Sequence, residues 1–174
     1  MTEIVQLISP VDGRVYAERR RVDAAQLDQA LAAAAAAQAQ WQRRPLSERA
    51  AFCRAAVDAM LAMKDEIVPE LAWQMGRPIR FGTGELRGFE ERARHMIAIA
   101  PEALAAIEPA PVAGFRRCIK REPLGTVLVV APWNYPYLTA VNTIIPALMA
   151  GNSVILKHAS QTLLVGERFA EAFR

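Results

Sequence analysis

Side chains able to bind or polarise a ligand are concentrated in one stretch of the chain, Glu122 to Leu164. Asn134 carries a side-chain amide, which can cap a helix, set a turn, or donate to an oxygen that gains negative charge during a reaction. Lys157 carries an ammonium group, which is either a solvated charge or a donor to a ligand. Residue type alone leaves these alternatives open for each of these positions.

Two strands are expected to position these side chains. Thr126–Ala131 is rich in β-branched residues and is followed by Pro132, which predicts a strand buried on both faces. Ser153–Leu156 is a second short apolar run, and Lys157 follows directly at its end.

A helix is expected to connect the two strands. Apolar residues recur at helical spacing from Tyr137 to Ala150, and Gly151 ends the pattern. A strand, a helix and a second strand form a right-handed βαβ unit with parallel strands. The loop that carries Asn134 and the strand end that carries Lys157 then lie at the same edge, where open α/β sheets bind ligands.

Three consecutive motifs in this stretch resemble the NAD(P)-dependent aldehyde dehydrogenases. They are Pro132-Trp133-Asn134-Tyr135-Pro136, then Pro146-Ala147-Leu148 with Ala150-Gly151-Asn152, and then Leu156-Lys157. The three motifs occur in that family's order and at its spacing, which makes the resemblance specific. It extends upstream to the opening Ser9-Pro10-Val11-Asp12-Gly13 and covers nearly the whole chain, but only the amino-terminal part of the family's domain plan.

The resemblance implies an α/β fold in which a helical region leads into the first βαβ unit of an incomplete, Rossmann-like cofactor-binding domain. Residues 1–121 would form amino-terminal strands and helices, with a β element near their end for oligomer contacts. Residues 122–174 would form the start of the NAD(P)-binding domain. A homo-oligomer is the expected state of the longer protein.

The resemblance also assigns site residues. It makes Asn134 the oxyanion donor, places Pro132 and Trp133 beside the nicotinamide channel, and lets Lys157 bind the adenosine ribose hydroxyls. The expected cofactor site comprises Pro132, Trp133, Asn134, Lys157, His158, Ala159 and Ser160.

Two departures from the family pattern bear on cofactor and substrate. His158 replaces the usual proline, and Leu-Lys-His-Ala resembles a subset related to succinate-semialdehyde dehydrogenases. His158 itself is expected to be a local structural residue. Ser160 stands where many NAD-preferring members have a glutamate, whose charge repels a 2′-phosphate. We therefore expect NAD or NADP as cofactor, with NADP accepted, and an aldehyde as the small-molecule substrate.

The family's nucleophile and general base are not found in this sequence. Oxidation of an aldehyde to an acid in this family needs a thiolate in an Asn-x-Gly-Gln-x-Cys context and a glutamate in a Glu-Leu-Gly-Gly context. Cys53 and Cys118 match neither, and Cys53 is expected in the core. The chain is thus expected to be the truncated front part of a longer enzyme, inactive alone. The alternative is a non-catalytic cofactor-binding or oligomerisation module.

Composition excludes several other classes. A net charge of +3 over 174 residues is too small to indicate a nucleic-acid partner. No apolar run is long enough to span a bilayer, and no secretory signal is visible, so we expect a cytoplasmic protein without a membrane partner. The two cysteines have no metal-ligand spacing, and no metal is expected.

The helical region yields further expectations. Asp23 and Gln26 predict a capping box, and the alanine run Ala32–Ala37 predicts a helix, whose small side chains permit close packing. Ser47 and Thr83 are expected to cap the helices that follow. A strand is expected over Phe115–Arg121.

The glycine-rich stretch Gly82–Gly88 imitates a phosphate-binding loop. It is one residue too long for the dinucleotide fingerprint, and no strand precedes it. We therefore do not expect it to bind a cofactor.

Overall fold

Two small sheets and six helices make up residues 3–174, the part of the chain that the computed structural model describes. In chain order the elements are β1 Ile4–Ile8, β2 Val15–Arg20, α1 Ala24–Trp41, α2 Leu46–Ala62, α3 Lys64–Met75, α4 Ile79–Ala103, β3 Thr126–Val130, α5 Pro136–Met149, β4 Ser153–Lys157, a 3₁₀ turn Ser160–Thr162 and α6 Leu163–Ala172. The expected α/β class is confirmed. Among these residues, no helix is both long and apolar enough to cross a membrane.

Strands β3 and β4 are parallel, as the βαβ prediction requires. The register runs from Thr126 beside Ser153 to Val130 beside Lys157, and α5 connects the two strands. Gly151 ends the connection with a positive φ of 91°, a conformation that glycine adopts without steric cost.

Strand β3 is not buried on both faces. Val129 is 5% exposed, whereas Leu128 and Val130 are 64% and 67% exposed. Alternate residues of a strand point to opposite faces, and within residues 3–174 only one face of β3 is well covered. A run of β-branched residues predicts the strand correctly but does not report how many layers cover it.

The hydrophobic core lies among α2 to α6 and the inner face of β3. Cys53 on α2 is fully buried, which confirms the core prediction, and burial raises the pKa of its thiol to about 11. Phe89 of α4 packs edge-to-face on Phe169 of α6, with ring centroids 5.9 Å apart. This single cluster contains residues from both sides of position 122.

The predicted capping box at the start of α1 is confirmed. The Gln26 N–H donates to Asp23 Oδ1 at 2.8 Å, and the Asp23 N–H donates to Gln26 Oε1 at 3.0 Å. Caps at Ser47 and Thr83 are wrong, because the N-cap residues of α2 and α4 are Pro45 and Pro78. Each proline fixes its own φ, so the helix starts earlier than the side-chain signal suggested.

Helix α1 forms as predicted, and within residues 3–174 none of its residues is buried. The helix is attached through its carboxyl-terminal end. Trp41 Nε1 donates to the Leu148 carbonyl at 2.9 Å, and Gln38 Nε2 donates to the Gly151 carbonyl at 3.1 Å. Both acceptors lie at or just after the carboxyl-terminal end of α5.

The predicted strand over Phe115–Arg121 is wrong. This segment forms only isolated bridges, Ile107 with Ile119 and Val112 with Phe115. A regular strand needs a neighbour along its length to satisfy its backbone groups, and residues 3–174 supply none here. Phe115 is 73% exposed and Ile119 is 57% exposed.

Candidate active site

The loop from β3 to α5 presents Asn134 at the surface. Helix α5 begins after Tyr135, and no side chain at its N-cap position bonds to the helix. Asn134 therefore does not cap α5, and its residue is exposed. The alternative that sequence alone had left open, a structural cap, does not describe this side chain.

Glu85 of α4 supplies the cap instead. Its Oε1 accepts hydrogen bonds from the backbone N–H groups of Tyr137 at 3.0 Å and Leu138 at 3.1 Å. The first turn of a helix has free N–H groups and a positive dipole end, so a carboxylate is a favourable partner there. Glu85 is 2% exposed. Sequence reasoning missed this residue, since a glutamate inside a helix gives no local sign of a distant helix end.

Arg77 joins Glu85 to the Asn134 loop. Its guanidinium donates to Glu85 Oε2 and, through the other terminal nitrogen, to the backbone carbonyl of Asn134. The Arg77 Cζ also lies 4.6 Å from the centroid of the Tyr135 ring, within the range of a cation–π contact. Arg77 is the second functional candidate that the sequence did not reveal.

Two glycines allow α4 to come close enough for these contacts. A Cβ at Gly82 would lie 2.8 Å from Val68 Cγ1 of α3, and a Cβ at Gly88 would lie 3.2 Å from Leu138 Cδ1 of α5. Gly82, Glu85 and Gly88 are three residues apart and share one helix face. The glycine-rich stretch is therefore a helix-packing surface, and the expectation that it is no dinucleotide loop agrees with its helical conformation.

Lys157 lies at the same sheet edge as the Asn134 loop, as predicted. The Ala131 N–H donates to the Lys157 carbonyl at 3.1 Å, which continues the parallel ladder by one step into the loop. The Lys157 residue is exposed. Its ammonium group is thus free to reach a ligand that binds along this edge.

Trp133 and Ser160 line one cleft of about 400 Å³ between β1 and the end of β4. Gln74 forms part of its wall and is 2% exposed, and its Oε1 accepts from the Leu164 N–H at 2.9 Å. Pro132 is half-buried beside Trp133, whose residue is 46% exposed.

His158 is directed toward α6. A Cβ at Gly166 would lie 2.1 Å from His158 Cδ2, so the imidazole rests directly on this glycine. Burial and the Lys157 charge lower the pKa of His158, against a smaller opposing effect of Glu167. The Nδ1 atom is 3.3 Å from the Ala159 carbonyl. These contacts describe a packed, structural histidine, as the sequence predicted.

The donor set at this edge suits a dinucleotide. Lys157 offers an ammonium group and Ser160 a hydroxyl, and both residues are exposed. Ribose hydroxyls and phosphates accept hydrogen bonds from such groups. The exposed donors at this edge therefore fit the hydrogen-bonding chemistry of NAD or NADP.

Comparison with known proteins connects this geometry to one group of enzymes. A model of the aldehyde dehydrogenase family matches residues 1–174. The 3,6-anhydro-alpha-L-galactose dehydrogenase of Streptomyces coelicolor is 34% identical over 91% of this chain and 32% of its own length. The NADP(+) succinate-semialdehyde dehydrogenase of Deinococcus radiodurans is 30% identical over 87% of this chain and 32% of its own length.

Solved structures of aldehyde dehydrogenases also match this chain. The NAD-dependent benzaldehyde dehydrogenase of Corynebacterium glutamicum superimposes with a TM-score of 0.88 and 30% identity, over 98% of this chain and 38% of that one. The chain spans about a third of the length of the curated relatives it matches.

Proposed function

The chain belongs to the aldehyde dehydrogenase family, and from that premise we propose that its protein oxidises an aldehyde to the carboxylic acid with NAD or NADP. In this proposal Asn134 is the oxyanion donor that the chain contributes. The cofactor, when bound, supplies the acceptor for the hydride.

One observation carries the proposal: Asn134 is exposed, does not cap α5, and lies beside the carboxyl ends of two parallel strands. An amide N–H at such a position stabilises the negative charge that forms on the aldehyde oxygen when a nucleophile attacks. A fixed donor is effective because its reorganisation does not accompany the reaction. The hydrogen bond from Arg77 to the loop backbone supports a fixed donor.

The cofactor proposal depends on the same edge. Lys157 binds the ribose hydroxyls, Ser160 admits a 2′-phosphate, and Pro132 and Trp133 border the nicotinamide side. His158 supports this wall by packing on Gly166 of α6, and its Nδ1 lies 3.3 Å from the carbonyl of Ala159 in the same wall. A relative that uses NADP(+), the succinate-semialdehyde dehydrogenase, is compatible with acceptance of NADP.

Substrate identity is proposed only by class. The Leu-Lys-His-Ala motif favours a semialdehyde such as succinate semialdehyde. Relatives are named for sugar-derived as well as semialdehyde substrates, so the proposed class includes other aldehydes.

We also propose that residues 1–121 and 122–174 divide by role, the second segment beginning the cofactor-binding region. The shared core means that this division concerns function and not separate folding. The exposed apolar residues Val112, Phe115 and Ile119 support a contact between copies of the protein in this segment. Light scattering that shows only monomers would contradict the contact.

The experiment uses the protein at the length at which its native cells produce it. It is assayed with succinate semialdehyde and benzaldehyde, and with NAD and NADP, by the absorbance of the reduced cofactor. We expect turnover, and we expect Asn134→Ala to lower kcat by about 100- to 1,000-fold, equivalent to roughly 2.7–4 kcal/mol. Asn142→Ala on the exposed side of α5 is the matched control and should not change kcat.

Absence of turnover with every substrate and both cofactors would overturn the proposal. A protein that then still bound NAD or NADP would be a cofactor-binding module. Normal kcat in Asn134→Ala would remove this residue from the mechanism while leaving the activity in place.

A further inference from the structure

We propose that Arg77 and Glu85 are positioning residues for the Asn134 side chain, an inference that rests on the proposed role of Asn134 as oxyanion donor. Neither residue reaches the exposed amide itself. They act on the backbone on both sides of it, through the start of α5 and through the loop carbonyl.

The downstream side of the loop is fixed by Glu85. Its Oε1 accepts from two successive N–H groups, those of Tyr137 and Leu138. Because α5 begins at Pro136, these bonds set where the first turn lies relative to α4. Asn134 is only three residues before Tyr137, so a shift of the helix start moves its amide as well.

The peptide of Asn134 itself is held by Arg77. The guanidinium donates to the Asn134 carbonyl and lies over the Tyr135 ring at 4.6 Å. A planar guanidinium has donors in a fixed fork, and here the two terminal nitrogens bind Glu85 and the loop. The distance between the loop and the helix start is therefore determined by one rigid group.

Burial distinguishes this pair from a surface ion pair. The Arg77 and Glu85 side chains are 11% and 0% exposed, whereas Arg44 and Glu48 of the surface pair are 47% and 51% exposed. Solvent screens an exposed pair and lets it move. A buried pair with all its acceptors in use keeps one geometry, and loss of either partner leaves a buried charge.

Catalysis is sensitive to displacements of the size that this pair prevents. A misplacement of about 1 Å at a reacting group costs roughly 100-fold in rate. Asn134 is exposed and its side chain does not cap α5. The Arg77–Glu85 pair thus accounts for how its backbone is held in place.

The test combines Glu85→Gln with Asn134→Ala in the protein as its native cells make it. The glutamine retains one acceptor oxygen and the shape of the side chain but loses the charge that holds Arg77. We expect kcat to fall by about 10- to 100-fold while both KM values stay within about threefold. Glu48→Gln in the surface pair is the control and should leave kcat unchanged.

The double variant separates positioning from a general loss of structure. If Glu85 acts through Asn134, Glu85→Gln should have little further effect on kcat in the Asn134→Ala background. A fall by the same factor in both backgrounds would overturn the proposal.

Amide hydrogen exchange provides a second, activity-independent readout. Exchange at Tyr137 and Leu138 should accelerate in Glu85→Gln and not in Glu48→Gln. Arg77→Lys keeps the charge but loses the fork, and it should lower kcat even where Glu85→Gln does not accumulate as folded protein. Normal kcat in Arg77→Lys would count against the proposal.

If the wild-type protein oxidises no aldehyde, the proposed function fails, and exchange alone then decides whether the pair orders the loop. Unchanged exchange at Tyr137 and Leu138 in Glu85→Gln would overturn the positioning role in that case.

Discussion

Glu85 Oε1 lies 3.0 Å from the backbone nitrogen of Tyr137, although the two residues are 52 positions apart in the chain. The acceptor for the first turn of α5 thus comes from the second turn of α4. This contact links the helical region to the βαβ unit at the point where the Asn134 loop ends. Stability of the α4 packing and geometry of the candidate site are therefore connected.

Substitution of Gly82 by alanine should destabilise the protein. The new Cβ would lie 2.8 Å from Val68 Cγ1, and valine is too stiff to move away freely. We expect a loss of about 1–3 kcal/mol in the free energy of unfolding, measured by chemical denaturation. Gly84→Ala is the matched control: nothing lies within 4 Å of its Cβ, so the higher helix propensity of alanine should add roughly 0.5–1 kcal/mol. Equal effects at both positions would contradict the packing role of Gly82.

Removal of the Tyr137 hydroxyl should stabilise the protein. The ring is fully buried and packs on Phe169 with centroids 5.7 Å apart, and the Oη atom has no hydrogen-bond partner within residues 3–174. An unpaired buried hydroxyl costs about 1–3 kcal/mol, so Tyr137→Phe should raise the free energy of unfolding by about 1 kcal/mol or more. Tyr135→Phe, at a half-exposed ring, should change it by less than about 0.5 kcal/mol. Destabilisation by Tyr137→Phe would show that the hydroxyl has a partner.

Acid should weaken the packing of His158 on Gly166. Burial and Lys157 lower the pKa of His158 from 6.5 in the folded state, so below that pH the unfolded chain binds more protons than the folded one. Stability contributed by the neutral imidazole is present above about pH 6.5 and is lost as the pH falls toward the folded-state pKa. Wild type should therefore lose more stability than His158→Gln between about pH 7.5 and about pH 5.5. The loss of packing in the variant changes its free energy of unfolding by the same amount at both pH values. Parallel stability curves for wild type and variant would therefore contradict the prediction.

A carboxylate at position 160 should change the choice of cofactor. Ser160→Glu places a negative charge at the end of β4, where the proposal locates the 2′-position of the ribose, and like charges repel a 2′-phosphate. We expect the affinity for NADPH, measured by fluorescence titration, to fall at least about tenfold relative to that for NADH, which corresponds to about 1.4 kcal/mol. Ser160→Gln has nearly the same shape without the charge and should leave the ratio close to that of wild type. A strong NAD preference in the wild-type protein would contradict the proposed acceptance of NADP.

Local sequence patterns determined much of the fold. The spacing of apolar residues predicted α5, whose buried residues include Val141, Ile144 and Ile145. The Asp23–Gln26 capping box and the parallel arrangement of β3 and β4 were also correct. These features depend on residues within a few positions of each other, or on connection rules that hold for any βαβ unit. The spacing of the motifs between Pro132 and Lys157 indicated the family.

The tertiary structure alone decided which residues fix the site. Arg77 binds the Asn134 carbonyl from 57 positions away, and Glu85 binds the first turn of α5 from 52 positions away. Periodicity carries no information about which partner a buried charge will find. The exposed face of β3 at Leu128 and Val130 was likewise invisible, since β-branched composition reports strand preference and not coverage. Sequence therefore specified the elements and the residues able to do chemistry, whereas long-range packing specified how those residues are held.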